Sequence, residues 1–322
     1  MSPEVASKEN SFLSVCKHIW TNYSIIIVTI VIFIISGIIE PRFLTAANML
    51  LVLRHAAIMG MMALGMTFVI IAGGIDLSAG HVAAASGTVL IMLQGNEAVP
   101  IWVAILACFG VAMFVGLFNG AMITKFRLPP FIVTLAVGLM IRSFAVHLVG
   151  GRTVVGRRIP AFAAIGSGTI GPIPTPLILW IIMAVALGCI LAYTKFGSYV
   201  YAVGGNETAA SYSGIPVNRI RIICYVLMGF CVGMSTLINF SRMAAITTVT
   251  AASFYEFDAI TAVIVGGATL AGGRGKIIGT FFGVIIVNVV SNLTIMFGIS
   301  PYLIGFVKGA LILFAILIQR RD

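Results

Sequence analysis

Tyr201-Ala-Val-Gly-Gly-Asn-Glu-Thr-Ala-Ala-Ser-Tyr-Ser-Gly214 is a polar, glycine-marked stretch between two long uncharged runs, residues 161–194 and 222–241. A chain this oily has few soluble parts, so such a loop is where it meets something in the water, and we read it as pointing to a partner subunit. Asn206 can cap a short helix, and Glu207 in the first turn suits the positive end of the helix dipole. Residues 208–213 supply a turn or two, Gly214 permits a left-handed exit, and Pro216 forbids continuation. The small side chains of Ala209, Ala210 and Ser211 would let another protein's groove close around the unit. An ordinary capped loop helix is the alternative reading.

On both sides of the loop the chain is apolar. Of 322 residues, 60% are hydrophobic and only 9% charged, against about 25% charged in ordinary globular domains. So little charge cannot cover a soluble surface, and lipid must be the solvent for much of it. No Asp, Glu, Lys or Arg occurs between Arg54 and Asp76, Asp76 and Glu97, Glu97 and Lys125, Arg158 and Lys195, or Lys276 and Lys308. A spanning helix needs roughly 17–25 such residues.

The expected fold is all-α, a polytopic membrane protein with about ten transmembrane helices. The apolar segments are 23–39, 48–72, 78–93, 100–123, 130–149, 176–193, 220–241, 257–271, 277–297 and 302–318. Segments 78–93 and 257–271 are short for full spans and are expected to be tilted, broken or partly re-entrant. Residues 1–22 read as a cytoplasmic N-terminal tail, and residues 23–322 as the membrane domain, with a soluble loop at 194–219. No small-x-small cleavage site follows the first apolar run, which therefore reads as an uncleaved helix.

The net charge is +10, but it implies no nucleic-acid partner, because the basic residues sit mostly in short loops. With the N-terminus inside, the inner loops hold Lys8, Lys17, Lys125, Arg127, Lys195, Arg219, Arg221, Arg274, Lys276, Arg320 and Arg321. The outer side holds Arg42, Arg54, Arg152, Arg157, Arg158 and Arg242. This bias follows the positive-inside tendency and places both termini in the cytoplasm. The outer cluster Arg152/Arg157/Arg158 is the exception.

No catalytic constellation is visible, and the chain reads as a non-enzyme without cofactor. The four histidines share no ligand spacing, and the five cysteines are scattered, most of them in apolar segments. Gly275-Lys276 is followed by Ile277, and Leu270 stands where a phosphate-binding loop needs glycine. Polar groups inside a membrane are candidates for a transport path. Asp76 and Ser78 lie in a Gly-Gly-Ile-Asp-Leu-Ser turn, where Asp76 can also simply cap a helix. Asn288, Ser291 and Asn292 share a helix face. Their neutral groups suit a hydroxylated solute, with interhelical packing as the bland alternative. Arg142 and Lys308, inside or near helix ends, are explained by snorkelling or by pairing with a carbonyl.

Val69-Ile-Ile-Ala-Gly-Gly-Ile-Asp-Leu-Ser-Ala-Gly80 is echoed by Val263-Ile-Val-Gly-Gly-Ala-Thr-Leu-Ala-Gly-Gly273. Paired glycine-interrupted segments in two halves point to a transport path, although two similar turns can also arise by chance. Gly116/Gly120, Gly229/Gly233, Gly279/Gly283 and Gly305/Gly309 have the spacing that lets membrane helices pack closely.

A set of motifs then carries a resemblance. They are Gly65-Met-Thr-Phe-Val-Ile-Ile-Ala-Gly-Gly-Ile-Asp-Leu-Ser78, Pro130-Phe-Ile-Val-Thr-Leu135, Tyr201-Ala-Val-Gly-Gly-Asn-Glu207 and Ser213-Gly-Ile-Pro216. Tyr255-Glu-Phe-Asp-Ala-Ile260, Gly266-Gly-Ala-Thr-Leu-Ala-Gly-Gly-Arg-Gly275 and Ser300-Pro-Tyr302 complete it. In this order, from about residue 40 to the end, the chain resembles the permease subunits of bacterial ribose-type sugar ABC importers, which serve ribose, xylose, arabinose, galactose and autoinducer-2-like solutes. It departs from the common family pattern at Ala79, at His81 and at Ser211-Tyr212.

The resemblance implies inward movement of a small neutral sugar by alternating access across the bacterial inner membrane. It implies two cytoplasmic ATP-binding subunits, which bind the ATP, a periplasmic sugar-binding protein, and a second permease copy or paralogue. Gly204, Gly205, Asn206, Glu207, Ala209, Ala210 and Gly214 would form the coupling loop. A permease for branched-chain amino acids or another small solute, and a secondary sugar carrier, are the rival readings.

Overall fold

In the computed structural model, the described residues are 24–300, 303, 305–310 and 313. The expected N-terminal tail and most of segment 302–318 lie outside them. Twelve helices run through residues 24–300: α1 (Ser24–Ile39), α2 (Ala46–Ile71), α3 (Ala79–Gly95), α4 (Ile101–Phe126), α5 (Pro130–Leu148) and α6 (Pro160–Ser167), then α7 (Thr175–Tyr193), α8 (Lys195–Gly205), α9 (Glu207–Tyr212), α10 (Val217–Met243), α11 (Tyr255–Val265) and α12 (Ile277–Met296). The protein is all-α and multi-pass. Six helices, α2, α4, α5, α7, α10 and α12, are long and apolar enough to cross a membrane.

Burial sorts these spans into an inner and an outer shell. α2 and α10 are 67% buried over their apolar windows, whereas α5 and α7 are 22% buried. From Met61 to Ile71 no side chain of α2 exceeds a trace of exposure. A helix that is apolar all round must be enclosed by other helices or by lipid, and α2 is enclosed by protein.

Where lipid replaces water, helices associate through close packing and small residues. Three of the four glycine pairs serve this purpose. Gly116 and Gly120 of α4 lie against the backbone of Tyr225 and Ile222 in α10, and Gly229 of α10 lies against Ala112 of α4. Gly279 and Gly283 of α12 bring that helix onto the backbone of Gly266 and Ala262. A Cβ at Gly305 or Gly309 would meet no other described part of the bundle within 4 Å. Hydroxyls add interhelical bonds: Thr67 to Thr280 at 2.7 Å, and Ser235 to the Ile58 carbonyl at 2.7 Å. On α7, Trp180 stacks on Phe281 with ring centroids 4.1 Å apart.

The two short segments behave differently from full spans. α11 has only 11 residues, roughly 16 Å of helix. α3 begins well inside the bundle. Ser78, just before it, accepts from Asn119, seven residues from the end of α4, and the preceding Ile75 carbonyl accepts from Tyr225, eight residues into α10. At 1.5 Å per residue, the turn therefore lies roughly 10–12 Å below those helix ends. The starts of α3 and α11 meet there, with Gly80 against Glu256.

At the opposite end, the loops are woven together by elements not foreseen from the sequence. β1 (Thr153–Val155) pairs antiparallel with β4 (Ala245–Thr247), and β2 (Thr169–Ile170) with β3 (Ile173–Pro174). Arg157 donates to the carbonyls of Gln94, Asn96 and Val99 at 2.7–3.3 Å. It thereby staples the segment after β1 to the end of α3, while Arg152 and Arg158 stay exposed.

Candidate functional site: a helical hook tied to two glycine turns

α8 and α9, separated by the extended residue Asn206, form a helical hook at one end of the bundle. Residues 201–205, expected as loop, are the last turn of α8, which Thr194 caps by accepting from Gly197. α9 matches the sequence reading closely. Asn206 Oδ1 accepts from the Ala209 amide at 2.9 Å, and Gly214 takes φ +78°. The Glu207 carboxylate accepts two bonds of 2.8 Å from the Arg221 guanidinium, tying the hook to the first turn of α10.

The faces of α9 differ from expectation in one respect. Ala210 is turned inward and only 4% exposed, packed in the chain's own core. Thr208, Ala209 and Ser211 face outward, and Tyr212 is 89% exposed. Tyr193, at the end of α7, is 86% exposed. Exposed aromatics of this kind are the residues that anchor protein interfaces. Sequence reasoning passed over Tyr212 because a short helix does not reveal which of its sides will be covered.

The hook makes its closest approach to the bundle through backbone. Gly204 lies so close to the Ile71 carbonyl oxygen that a Cβ there would overlap it. Gly273 donates its amide to the same Ile71 oxygen at 2.9 Å. Gly272 sits against Gly73 and the Gly204 carbonyl. The Tyr201 hydroxyl donates to the Gly275 carbonyl at 2.7 Å; burial raises its pKa, which keeps it a donor at neutral pH. Gly73 of the first echoed segment and Gly272–Gly273 at the end of the second thus meet each other and the hook at one point. Only residues without side chains allow three backbones to approach so closely.

From that knot the chain leads directly to polar groups within the bundle. Asp76 and Ser78 are buried, and Asp76 Oδ1 accepts from the Ser78 amide at 2.8 Å and the Ser78 hydroxyl at 2.5 Å. Asp76 therefore closes the turn ahead of α3. On α12, Asn292 exchanges two amide bonds with Asn48 of α2, at 2.9 and 3.1 Å. Asn288 donates to the Val284 carbonyl of its own helix, and Asn288 and Ser291 are half-buried. The structure does not bring the α12 amides together with Asp76 by any described hydrogen bond.

Acidic residues that the sequence reading did not single out occupy the first turn of α11. Asp258 Oδ2 accepts from Lys308 Nζ at 2.5 Å, so Lys308 pairs with a carboxylate, where snorkelling or pairing with a carbonyl was expected. Glu256 is 5% exposed, and its Oε2 finds no partner among the described residues. Two acids at the start of a short helix, in Tyr-Glu-Phe-Asp, were the available signal.

A bundle of apolar spans, the short helix α11, a helix α3 that starts inside the bundle, and a hook bonded to the turns beside them define a polytopic membrane permease. Residues 48–316 match the family model described as the branched-chain amino acid transport system / permease component, and the chain belongs to that family. The ribose import permease protein RbsC of Bacillus subtilis (strain 168) is 39% identical over 90% of both chains. RbsC of Escherichia coli (strain K12) is 36% identical over 92% of both. The L-arabinose transport system permease protein AraH of Escherichia coli (strain K12) is 33% identical over 94% of this chain and 92% of its own length. The resemblance to ribose-type importer permeases read from the motifs holds over most of the chain.

Proposed function

We propose that this chain is the membrane-spanning subunit of an ATP-driven importer that carries a small neutral sugar, a ribose-like pentose or a hexose, into the cytoplasm. Relatives named for ribose and L-arabinose support the sugar class over an amino acid. The observation that carries the mechanism is the backbone knot joining Gly204 to Ile71 and Gly273. In this reading the hook, residues 204–214, docks on a cytoplasmic ATP-binding subunit. Exposed Tyr212 and Ala209 make the contact, and Ala210 braces the hook from within. Movement of the hook is passed by the knot to both glycine turns, and so to α3 and α11, as rigid-body displacement.

The proposal places the chain in the bacterial inner membrane with both termini and the hook inside. The strand-bearing end then faces the periplasm, where exposed Arg152 and Arg158 would meet a sugar-binding protein. A second copy or a paralogue completes the pore. Asp76 and Ser78 stand on the moving side of the path, and Asn288 and Ser291 beside it; Asn292 is already engaged by Asn48. ATP is bound by the partner, so this chain needs no cofactor.

Uptake of labelled D-ribose, D-xylose, L-arabinose and D-galactose by cells expressing the complete transporter tests the reading. We expect uptake of at least one of them. It should be abolished by loss of the ATP-binding subunit, insensitive to an uncoupler, and not competed by leucine. Competition by leucine, or uptake that survives loss of the ATPase, would overturn it.

A further inference from the structure

α5 carries a polar stripe on an otherwise oily exterior. Leu139, Met140, Phe144 and Leu148 are exposed, as expected of a peripheral span. Between them lie Arg142, Ser143 and His147, with Ser143 and His147 exposed and Arg142 half-buried. Arg142 is six residues before Leu148, roughly 9 Å below the end of the helix. A guanidinium at that depth is costly against lipid, and intramembrane charges usually face a water-filled cavity or the bundle interior.

Beside Arg142 the exterior is hollowed into a groove. Arg142, Ser143, Val146, His147 and Val249 line this open groove of about 360 Å³. Arg142 Nη2 donates to the carbonyls of Val249 and Ala251, at 2.5 and 3.2 Å, and to Ser253 Oγ at 3.2 Å. Nη1 lies 3.2 Å from His81 Nδ1, on the first turn of α3. No carboxylate hydrogen-bonds to it among the described residues, and its Nε has no acceptor there. The guanidinium is thus held in position by four neutral groups, with Nε–H and one Nη1–H still free among its five donors. A site pre-organised in this way by its neighbours binds without first having to order itself.

We infer that this groove is the outer, water-filled part of the solute path, in which Arg142, Ser143 and His147 hold the hydroxyls of a neutral sugar. The inference rests on the proposed sugar transport and adds the residues that touch the solute. The chemistry fits a polyol. Arg142 only donates, while the serine hydroxyl and the imidazole both donate and accept, as each sugar hydroxyl does. The groove also touches what must move. Its floor bonds to His81 on half-helix α3, and its rim is the segment after β4, which is paired to the outer loop through β1.

The test is single-cysteine labelling at Ser143→Cys and His147→Cys in intact cells expressing the complete transporter, read over the parent's own cysteine labelling. The probe is a water-soluble, membrane-impermeant maleimide, with Ser167→Cys as exposed reference and Phe144→Cys as lipid-face control. Positions 143 and 147 should label within a fewfold of 167, and 144 should not. The sugar that the parent takes up should slow labelling at 143 by threefold or more. Ser143→Trp should abolish uptake while the ATP-binding subunit still co-purifies.

Absent labelling at both 143 and 147, with 167 reactive, would overturn the inference. So would labelling that no transported sugar slows, or full uptake by Ser143→Trp. Parental uptake of none of the sugars tested would instead overturn the sugar reading itself.

Discussion

The Gly273 amide donates a 2.9 Å hydrogen bond to the Ile71 carbonyl oxygen, joining the turn that follows α11 to the last turn of α2. Gly204 of the hook presses on the same oxygen. One carbonyl is therefore the meeting point of the soluble hook and of both glycine-interrupted segments.

Crowding at that point makes Gly204 the most sensitive position of the hook. Gly204→Ala should reduce uptake tenfold or more, because its Cβ would overlap Ile71 O. Gly205→Ala, which meets nothing within 4 Å, should leave uptake near the parental level. Equal uptake by the two variants, at matched membrane abundance, would show that the knot transmits nothing.

The outward and inward faces of α9 should separate docking from folding. Tyr212→Ala removes an 89% exposed ring and should weaken retention of the ATP-binding subunit without lowering permease abundance. An anchor of this type is worth about 2 kcal/mol, or roughly thirtyfold in affinity. Ala210→Glu forces a charge into the chain's own core, which costs several kcal/mol, and should lower abundance itself. Pull-down of the ATPase against an immunoblot of the permease distinguishes the two effects.

The buried pair on α11 should be structural. Removing one partner of such a pair costs about 3–5 kcal/mol, whereas replacing both by apolar groups is often neutral. Lys308→Met is expected to lower the detergent melting temperature by leaving Asp258 uncompensated, and Lys308→Met with Asp258→Leu should restore much of it. A double variant less stable than the single one would contradict this.

Asp76→Asn keeps an Oδ1 acceptor for Ser78, removes the charge and replaces Oδ2 by an NH2 group. We expect membrane abundance close to the parent and uptake reduced severalfold. If uptake and abundance fall in parallel, Asp76 does no more than close the turn before α3.

Ser167 and Ser198 are exposed at opposite ends of the bundle. In intact cells an impermeant thiol reagent should modify Ser167→Cys and spare Ser198→Cys. The reverse pattern would invert the orientation and place the hook outside.

The spans were legible because lipid demands a continuous apolar run, and that demand is local. Residues 130–149, 176–193 and 277–297 were bounded to within a residue or two of α5, α7 and α12. The cap at Asn206 and the exit at Gly214 were legible for a similar reason: both are set by the chemistry of a few neighbouring residues. Other features depend on what arrives from elsewhere in the chain. Nothing near Ala210 says that the core, and not a partner, will cover it. Nothing near Lys308 announces Asp258, fifty residues earlier, and no local pattern pairs β1 with β4. The segments 69–80 and 263–273 could be seen to resemble each other, but that Gly73 of one touches Gly272 of the other, and that Gly204 completes the contact, was decided only by tertiary packing. Short-range rules place caps and spans. Which carbonyl a distant amide will find, and which polar stripe will border water, follows from how the helices close on one another.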